Sequence, residues 1–402
     1  MNTSPVQKSS KRAAHRASNG LDVRCLNLQA SLNLLRDGRP MTSPEIGDAL
    51  SVHPSTVSRL LGTLETADLV NATESPVARA AGRPPKTWRL NAEAGVALGL
   101  AVHSQTLRGV VVDLSGHLLS RREAGYDPPL TTEDLGQALG DFVRGMVEEL
   151  CPHPVLGVGV AVSGVVDPET GVVRISGGVR TPTGVPAVDF PLREVLAPQI
   201  PWPTYVANDA NVGALVTFEG MVRDGRVPPD GTLLYLMAVE SLLGYGSGLV
   251  LDGRLHNGAH GAGGEILHPS WVAPVTTPGD LPLEVPRPGD EAAVDRALRQ
   301  LRPILEHLAA LAMTFDPHLV VMGGALPVLG DRLLAEFGGL IAQAPGFGEY
   351  MADLAADRLM LDPLRPDTIS LGAAELVLDD LFRDPVVGAP GPLVELALRT
   401  AG

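Results

Sequence analysis

The sequence predicts an α/β protein in two parts, a winged helix-turn-helix at the amino end and a two-lobed α/β body behind it. Three observations predict this. Between Thr42 and Leu64 two short helical patterns are joined by a tight turn, and a loop containing Gly82, Pro84 and Pro85 then leads into a strand. A strand, a connection, a second strand and a turn containing Asp and Gly occur twice, over Leu98–Gly116 and Leu233–Gly253. Charge is divided: through Ala92 there are 12 Lys or Arg against 7 Asp or Glu, a net of +5, and the rest of the chain carries −20.

Composition sets the outer bounds. A chain of 402 residues has the length for several domains with sizeable cores. Hydrophobic residues at 45%, charged residues at 19% and 45 glycines fit globular α/β structure, and no apolar run is long enough to cross a bilayer. Residues 1–20 are rich in Ser, Lys and Arg without the apolar segment of a signal peptide. They are expected to be a disordered basic tail on a cytoplasmic protein that has no membrane contact. Cys25 and Cys151 are too few for a disulfide framework or a Cys-based zinc site and are read as core residues.

Residues 21–92 form the expected reader. Leu26, Leu28, Leu32 and Leu35 recur at helical spacing until Gly38 and Pro40 end the run. Thr42-Ser43-Pro44-Glu45 has the spacing of a capping box and starts a second helix that reaches Leu50. After a turn at Ser51–His53, a third helix opens at Pro54. It buries Val57, Leu60, Leu61 and Leu64 and presents Ser55, Thr56, Ser58 and Arg59 outward. Small polar side chains and an Arg near the start of such a helix suit the major groove of double-stranded DNA. Arg83 and Lys86, on the wing and its strand, are placed to meet phosphates or enter a minor groove. A helical docking or dimerisation module is the alternative reading of the same helices.

The body is expected as a first lobe over residues 93–205 and a second over 206–382, whose closing helix, Leu371–Phe382, can return to the first lobe. Two related hairpin units at the fronts of two halves imply a duplicated fold with a cleft between them. In its middle an apolar run ends in Tyr205-Val206-Ala207-Asn208-Asp209-Ala210-Asn211. Carboxyl ends of strands open onto crevices, so an Asp flanked by amides there can hold hydroxyl groups, while Asn and Asp also start helices for local reasons. Ala292–Met313 reads as a helix crossing the cleft. Residues 383–402 are a tail in which Leu393–Leu398 reads as a short docking helix.

With the wing, the two hairpins, Asn208-Asp209-Ala210-Asn211 and His260-Gly261-Ala262-Gly263-Gly264-Glu265-Ile266-Leu267-His268, the chain resembles the ROK family (repressor, ORF, kinase). Asp167-Pro168-Glu169-Thr170-Gly171, Asp316-Pro317 with Gly323-Gly324, and Leu371-Gly372-Ala373-Ala374 extend the resemblance from Leu26 to about Phe382. It implies an actin- and hexokinase-like (ribonuclease H-like) body in which Asn208, Asp209, Glu265 and His268 bind a sugar. Kinases of the family carry an Asp, paired glycines and a Thr in the first hairpin, where this chain has Ala101, His103, Ser104 and Gln105, and Leu242-Leu243 replace a Gly-Thr in the second. The Asp would organise Mg²⁺, and the glycines would let backbone N–H groups approach phosphate.

The zinc that the resemblance implies beside His268 needs three cysteines that the loop from Pro269 to Pro288 lacks, so no metal is expected. Glu284 stands as a possible substitute for a further sugar-contacting Glu of the family. The expectation is a sugar-responsive regulator, a repressor, with no catalytic residue and no cofactor. Its partners are operator DNA and a sugar or sugar-phosphate effector, and it acts as a homodimer or dimer of dimers. The alternatives are an ATP-dependent sugar kinase with an accessory DNA-binding domain and a constitutive repressor whose pocket has decayed.

Overall fold

The structure, a computed structural model, describes residues 20–36, 38–74, 86–103, 105–151, 153–238, 245–265, 286–287, 289–343, 357–364, 366–383 and 391–401. The reader comprises α1 (Gly20–Arg36), β1 (Met41–Thr42), α2 (Ser43–Leu50), α3 (Pro54–Thr66), β2 (Val70–Glu74) and β3 (Lys86–Leu90). The capping box forms as its spacing predicts: the Glu45 N–H donates to Thr42 Oγ1 at 3.4 Å, and the Thr42 N–H donates to Glu45 Oε2 at 2.6 Å. The wing strands pair in the order β1–β3–β2, and Trp88 on β3 donates its indole N–H to Ser43 Oγ at 3.0 Å, tying the wing to the start of α2. One residue of α1 departs from expectation. Leu26 is exposed and Cys25 takes its place in the core, because stepping back three residues from Leu28 reaches position 25 on the face shared with Leu32 and Leu35.

The body repeats one topology. In the first lobe β4 (Val96–Val102) is central. It pairs antiparallel with β5 (Thr106–Asp113), which pairs with β6 (Leu118–Gly125), and on the other side parallel with β7 (Val155–Val162), which pairs with β11 (Thr204–Asn208). In the second, β12 (Leu233–Ala238) is central between the antiparallel β13 (Tyr245–Leu251) with β14 (Arg254–Leu255) and the parallel β15 (Leu319–Gly324) with β16 (Leu359–Leu361). The duplication read from the hairpins thus extends to whole sheets. The first turn is tighter than the sequence implied, with Thr106 already in β5. A small sheet of β8 (Val165–Val166), β9 (Val173–Arg180) and β10 (Pro186–Phe190) follows β7.

Two helices fill the space between the lobes. α6 (Asp209–Arg223) follows β11 without a break and packs on β12 and β13, while the closing helix α9 (Thr368–Leu381) packs on β4 and β7. They meet backbone to backbone: a Cβ on Gly372 would lie 2.1 Å from the carbonyl oxygen of Val212, so only glycine permits this approach. α4 (Leu135–Leu150) and α5 (Leu192–Leu196) complete the first lobe. α7 (Glu291–Phe315) does not cross the cleft. Its buried face, Leu298, Leu301, Leu305 and Leu308, joins Leu234, Leu236 and Met322 on the second sheet together with α8 (Asp331–Ala342), because that sheet face is apolar.

Reader and body share one core. Leu28, Leu32, Leu35, Val57 and Leu61 pack with Val377, Leu378, Leu381 and Phe382 from the end of α9, and with Leu393, Val394 and Ala397 from α10 (Pro392–Ala401). The docking helix expected in the tail therefore docks on the reader. Polar contacts lock the seam. Gln29 donates to the carbonyl of Phe382 at 2.8 Å, Arg36 lies 4.8 Å over the Phe382 ring, and Arg36 pairs with Glu375, which is 5% exposed.

Candidate functional site

β11 runs parallel to β7 and delivers Asn208 and Asp209 at its carboxyl end, where α6 begins. Asn208 is the helix N-cap. Its Oδ1 accepts the N–H of Asn211 at 2.9 Å, and its Nδ2 donates to the carbonyl of Gly164 at 2.9 Å, so its amide chiefly builds the site. Asp209 is 6% exposed and accepts the N–H of Ala210 at 2.8 Å. Burial pushes its carboxyl up, opposed by that hydrogen bond and by the nearby His103.

Glu265 comes from the other wall. The loop after β14 is pinned by Ser247, whose hydroxyl donates to the carbonyl of Gly264 at 2.9 Å. As a residue Glu265 is exposed, yet enough protein surrounds its carboxyl that desolvation raises it, with the negative charge of Asp209 adding to the shift. The charge of Asp209 thus reaches Glu265, and two such acids fit recognition of a hydroxyl that both donates and accepts. His268, the fourth expected sugar ligand, lies outside the described residues, as do Ser104, Leu242, Leu243 and Glu284.

Two neighbours were not picked out as ligands from the sequence, and a third, Asn211, was singled out there only as one of the amides flanking Asp209. His103, read only as the replacement of a phosphate-turn glycine, stands close enough to Asp209 to influence it. Asn211 is 3% exposed, its Nδ2 donates to Asn257 Oδ1 at 3.4 Å, and its own Oδ1 has no hydrogen-bond partner among the described residues. A buried amide oxygen so placed at the helix start is a natural acceptor for a ligand hydroxyl. Asn257 carried no sequence signal, because only the fold brings its loop to α6.

On the reader, Ser55, Ser58 and Arg59 are exposed and Thr56 half-buried, on the open face of α3 opposite Val57, Leu60, Leu61 and Leu64. His53, unremarked in the sequence, caps this helix through Nδ1: the Ser55 N–H donates to it at 3.3 Å and the Ser55 hydroxyl lies at 2.9 Å. Arg59 reaches back to the carbonyl of Ser55 at 3.3 Å. Lys86 is exposed at the base of the wing with its ammonium 5.7 Å from the Trp88 ring, and Arg83 lies outside the described residues. Among the described residues no group of three or more His, Cys, Asp or Glu is arranged to hold a metal, and no helix is long and apolar enough to cross a membrane.

Similarity to known proteins follows the same division. The ROK family model matches residues 97–279, and an IclR helix-turn-helix domain model matches residues 32–73. A xylose repressor of Caldicellulosiruptor bescii is 24% identical over 246 residues, 60% of this chain and 58% of that protein. The match thus spans less than two thirds of that repressor's length. A transcriptional regulator of Mycobacterium tuberculosis is 30% identical over 348 residues, 83% of this chain and 71% of that protein. Among solved structures, a ROK family transcriptional regulator described as a homologue of the E. coli MLC protein superposes with a TM-score of 0.66 at 17% identity, covering 94% of this chain and 99% of that one. A ROK family glucokinase from Streptomyces griseus shares the fold of the body, with a TM-score of 0.54 at 23% identity over 70% of this chain and 99% of that one. From the M. tuberculosis relative, the two domain matches and the duplicated sheets of the body, this chain belongs to the ROK family.

Proposed function

We infer that the protein is a sugar-responsive transcriptional repressor. α3 and the wing bind operator DNA through Ser55, Thr56, Ser58, Arg59, Arg83 and Lys86, and the body senses a sugar or sugar phosphate through Asn208, Asp209, Glu265 and His268. The names of the xylose repressor and of the mycobacterial regulator support this reading. The observation that carries it is continuity: Asp209 opens α6, α6 lies backbone to backbone on α9, and α9 ends in the core of the reader. A ligand that binds two lobe arrangements unequally would shift α9 and with it the reader, which is the thermodynamic requirement for coupling. Two readers spaced by a dimer would meet two half-sites, so a change in their spacing changes operator affinity. The same reading puts the protein in the cytoplasm, gives it no cofactor, and leaves Asp209 as a ligand with no phosphoryl transfer to serve.

Fluorescence anisotropy with DNA from upstream of the gene tests the DNA arm. Sequence-specific, salt-sensitive binding is expected, and its absence overturns the reading. The fold shared with sugar kinases, together with the buried carboxyl of Asp209, supports a rival. Release of ADP from ATP across a hexose panel, abolished by Asp209→Asn, would establish that rival.

A further inference from the structure

A cavity of about 330 Å³ opens beside the Asp209 cleft and takes no part in the site described above. One wall is the β8–β9 turn with Asp167, Glu169 and Arg174, and the other is the loop after β14 with Gly258, His260 and Gly261. The first wall comes from the first lobe and the second from the second.

Both walls begin at the candidate effector site. Gly164, whose carbonyl accepts the amide of Asn208, is three residues before Asp167, and Glu265 is four residues after Gly261. At about 3.5 Å per extended residue the cavity wall at Asp167 lies within about 11 Å of Gly164, and that at Gly261 within about 14 Å of Glu265. The walls touch at Gly261, where φ is +75° and a Cβ would lie 2.3 Å from the carbonyl of Val166. Cleft and cavity are therefore neighbouring compartments along the same pair of backbone segments.

The chemistry of the lining selects the class of occupant. Arg174 is already engaged, donating to Asp167 at 2.8 Å and to Asp189 at 3.2 Å. A second guanidinium, that of Arg193, donates to the carbonyls of Glu169 at 2.5 Å and Pro168 at 3.2 Å, and against these two cations stand the carboxylates of Asp167, Asp189 and Glu169, so the local charge is net negative and a phosphate is disfavoured. Exposed Glu169 and His260 instead offer an acceptor and a donor to neutral hydroxyl groups, and the volume falls within the range of small-ligand pockets.

We propose that the effector is a neutral glycoside of at least two sugar units, one unit held at Asn208, Asp209 and Glu265 and the next in the cavity between the Asp167 turn and the Gly258–Gly261 loop. This rests on the sugar-sensor reading and adds a reason for coupling: an occupant touching walls from both lobes binds their closed and open arrangements unequally.

Calorimetry on the full chain with glucose, xylose, glucose 6-phosphate, maltose, cellobiose and xylobiose tests it. The expected result is a disaccharide bound at least tenfold more tightly than its own monosaccharide. Glu169→Ala and His260→Ala should each weaken that disaccharide by about tenfold and leave the monosaccharide unchanged. Both side chains are exposed, so folding is not at stake, and circular dichroism verifies it. Tightest binding of a monosaccharide or of the phosphate, or disaccharide affinity indifferent to both substitutions, overturns the proposal while leaving the sensor reading intact. Failure of every sugar to bind overturns the sensor reading itself and the proposal with it.

Discussion

Replacing Arg36 by Met would isolate Glu375 at the seam between reader and body, and the cost should depend on pH. Burial raises the Glu375 carboxyl from an ordinary 4.5 to about 7, while Arg36 and Arg223 pull it back and Glu219 and Asp379 push it further up. The sign follows. Between pH 4.5 and 7 the folded protein holds a proton here that the unfolded chain has lost, so this stabilisation is complete below pH 4.5 and disappears as pH rises through 7. At about 1.4 kcal/mol per pH unit the wild-type term is about 3 kcal/mol. Above pH 7 the carboxylate depends on Arg36, and removing one partner of a buried pair costs about 3–5 kcal/mol. The carboxyl can instead take up a proton, which one pH unit above 7 costs about 1.4 kcal/mol, so at pH 8.0 the electrostatic loss is capped at that figure. At pH 5.5 the carboxyl is protonated, and the substitution loses chiefly the contact over Phe382, about 1 kcal/mol.

The difference, about 1.4 kcal/mol, corresponds to roughly tenfold in an opening equilibrium. Hydrogen exchange of the buried α1 amides at Leu28, Leu32 and Leu35, corrected for intrinsic rates at pH 5.5 and 8.0, reads it directly. Glu375→Gln should abolish the pH dependence, and combining it with Arg36→Met should restore most of the protection lost at pH 8.0. An equal loss for Arg36→Met at both pH values refutes the reasoning.

Further expectations concern each layer of the molecule. Gly159→Ala would place a Cβ 1.8 Å from the carbonyl oxygen of Ala373, backbone against backbone, so a loss at or above about 3 kcal/mol is expected and checked by thermal unfolding. Thr42→Ala removes the acceptor of the capping box and should cost the reader about 1 kcal/mol in urea denaturation, with Thr42→Ser restoring it. Lys86→Ala should weaken operator binding across all sequences and lower the salt slope by about 0.9, whereas Arg59→Ala should cost about 1–3 kcal/mol and relax preference at one base pair, both read by anisotropy.

Much of this was legible in sequence because it is local. The capping box needs only Thr42 and Glu45 three residues apart, and the outward face of α3 follows from the helical period of Val57, Leu60, Leu61 and Leu64. The same periodicity, started one residue off, misplaced Leu26. The duplication was visible in two hairpins because strand alternation and Asp-Gly turns are short-range patterns. The cleft-crossing role expected of α7 failed because a helix's apolar stripe does not say which of several apolar surfaces it will cover.

By itself the sequence determined the reader and the two hairpin units, since residue type and spacing suffice to specify them, and it singled out Asp209 at a strand end, while Glu265 was named only through the family resemblance. Only the tertiary structure decided what those parts face. It used Asn208 to cap α6 and hold Gly164, brought His103 and Glu265 to Asp209, and set Asn257 of a distant loop beside Asn211. It also joined Arg36 to Glu375 across 339 residues of chain. The physical reason is common to all of these: electrostatic and hydrogen-bond partners act over a few ångströms in space, and only packing of the lobes and helices determines which residues come that close.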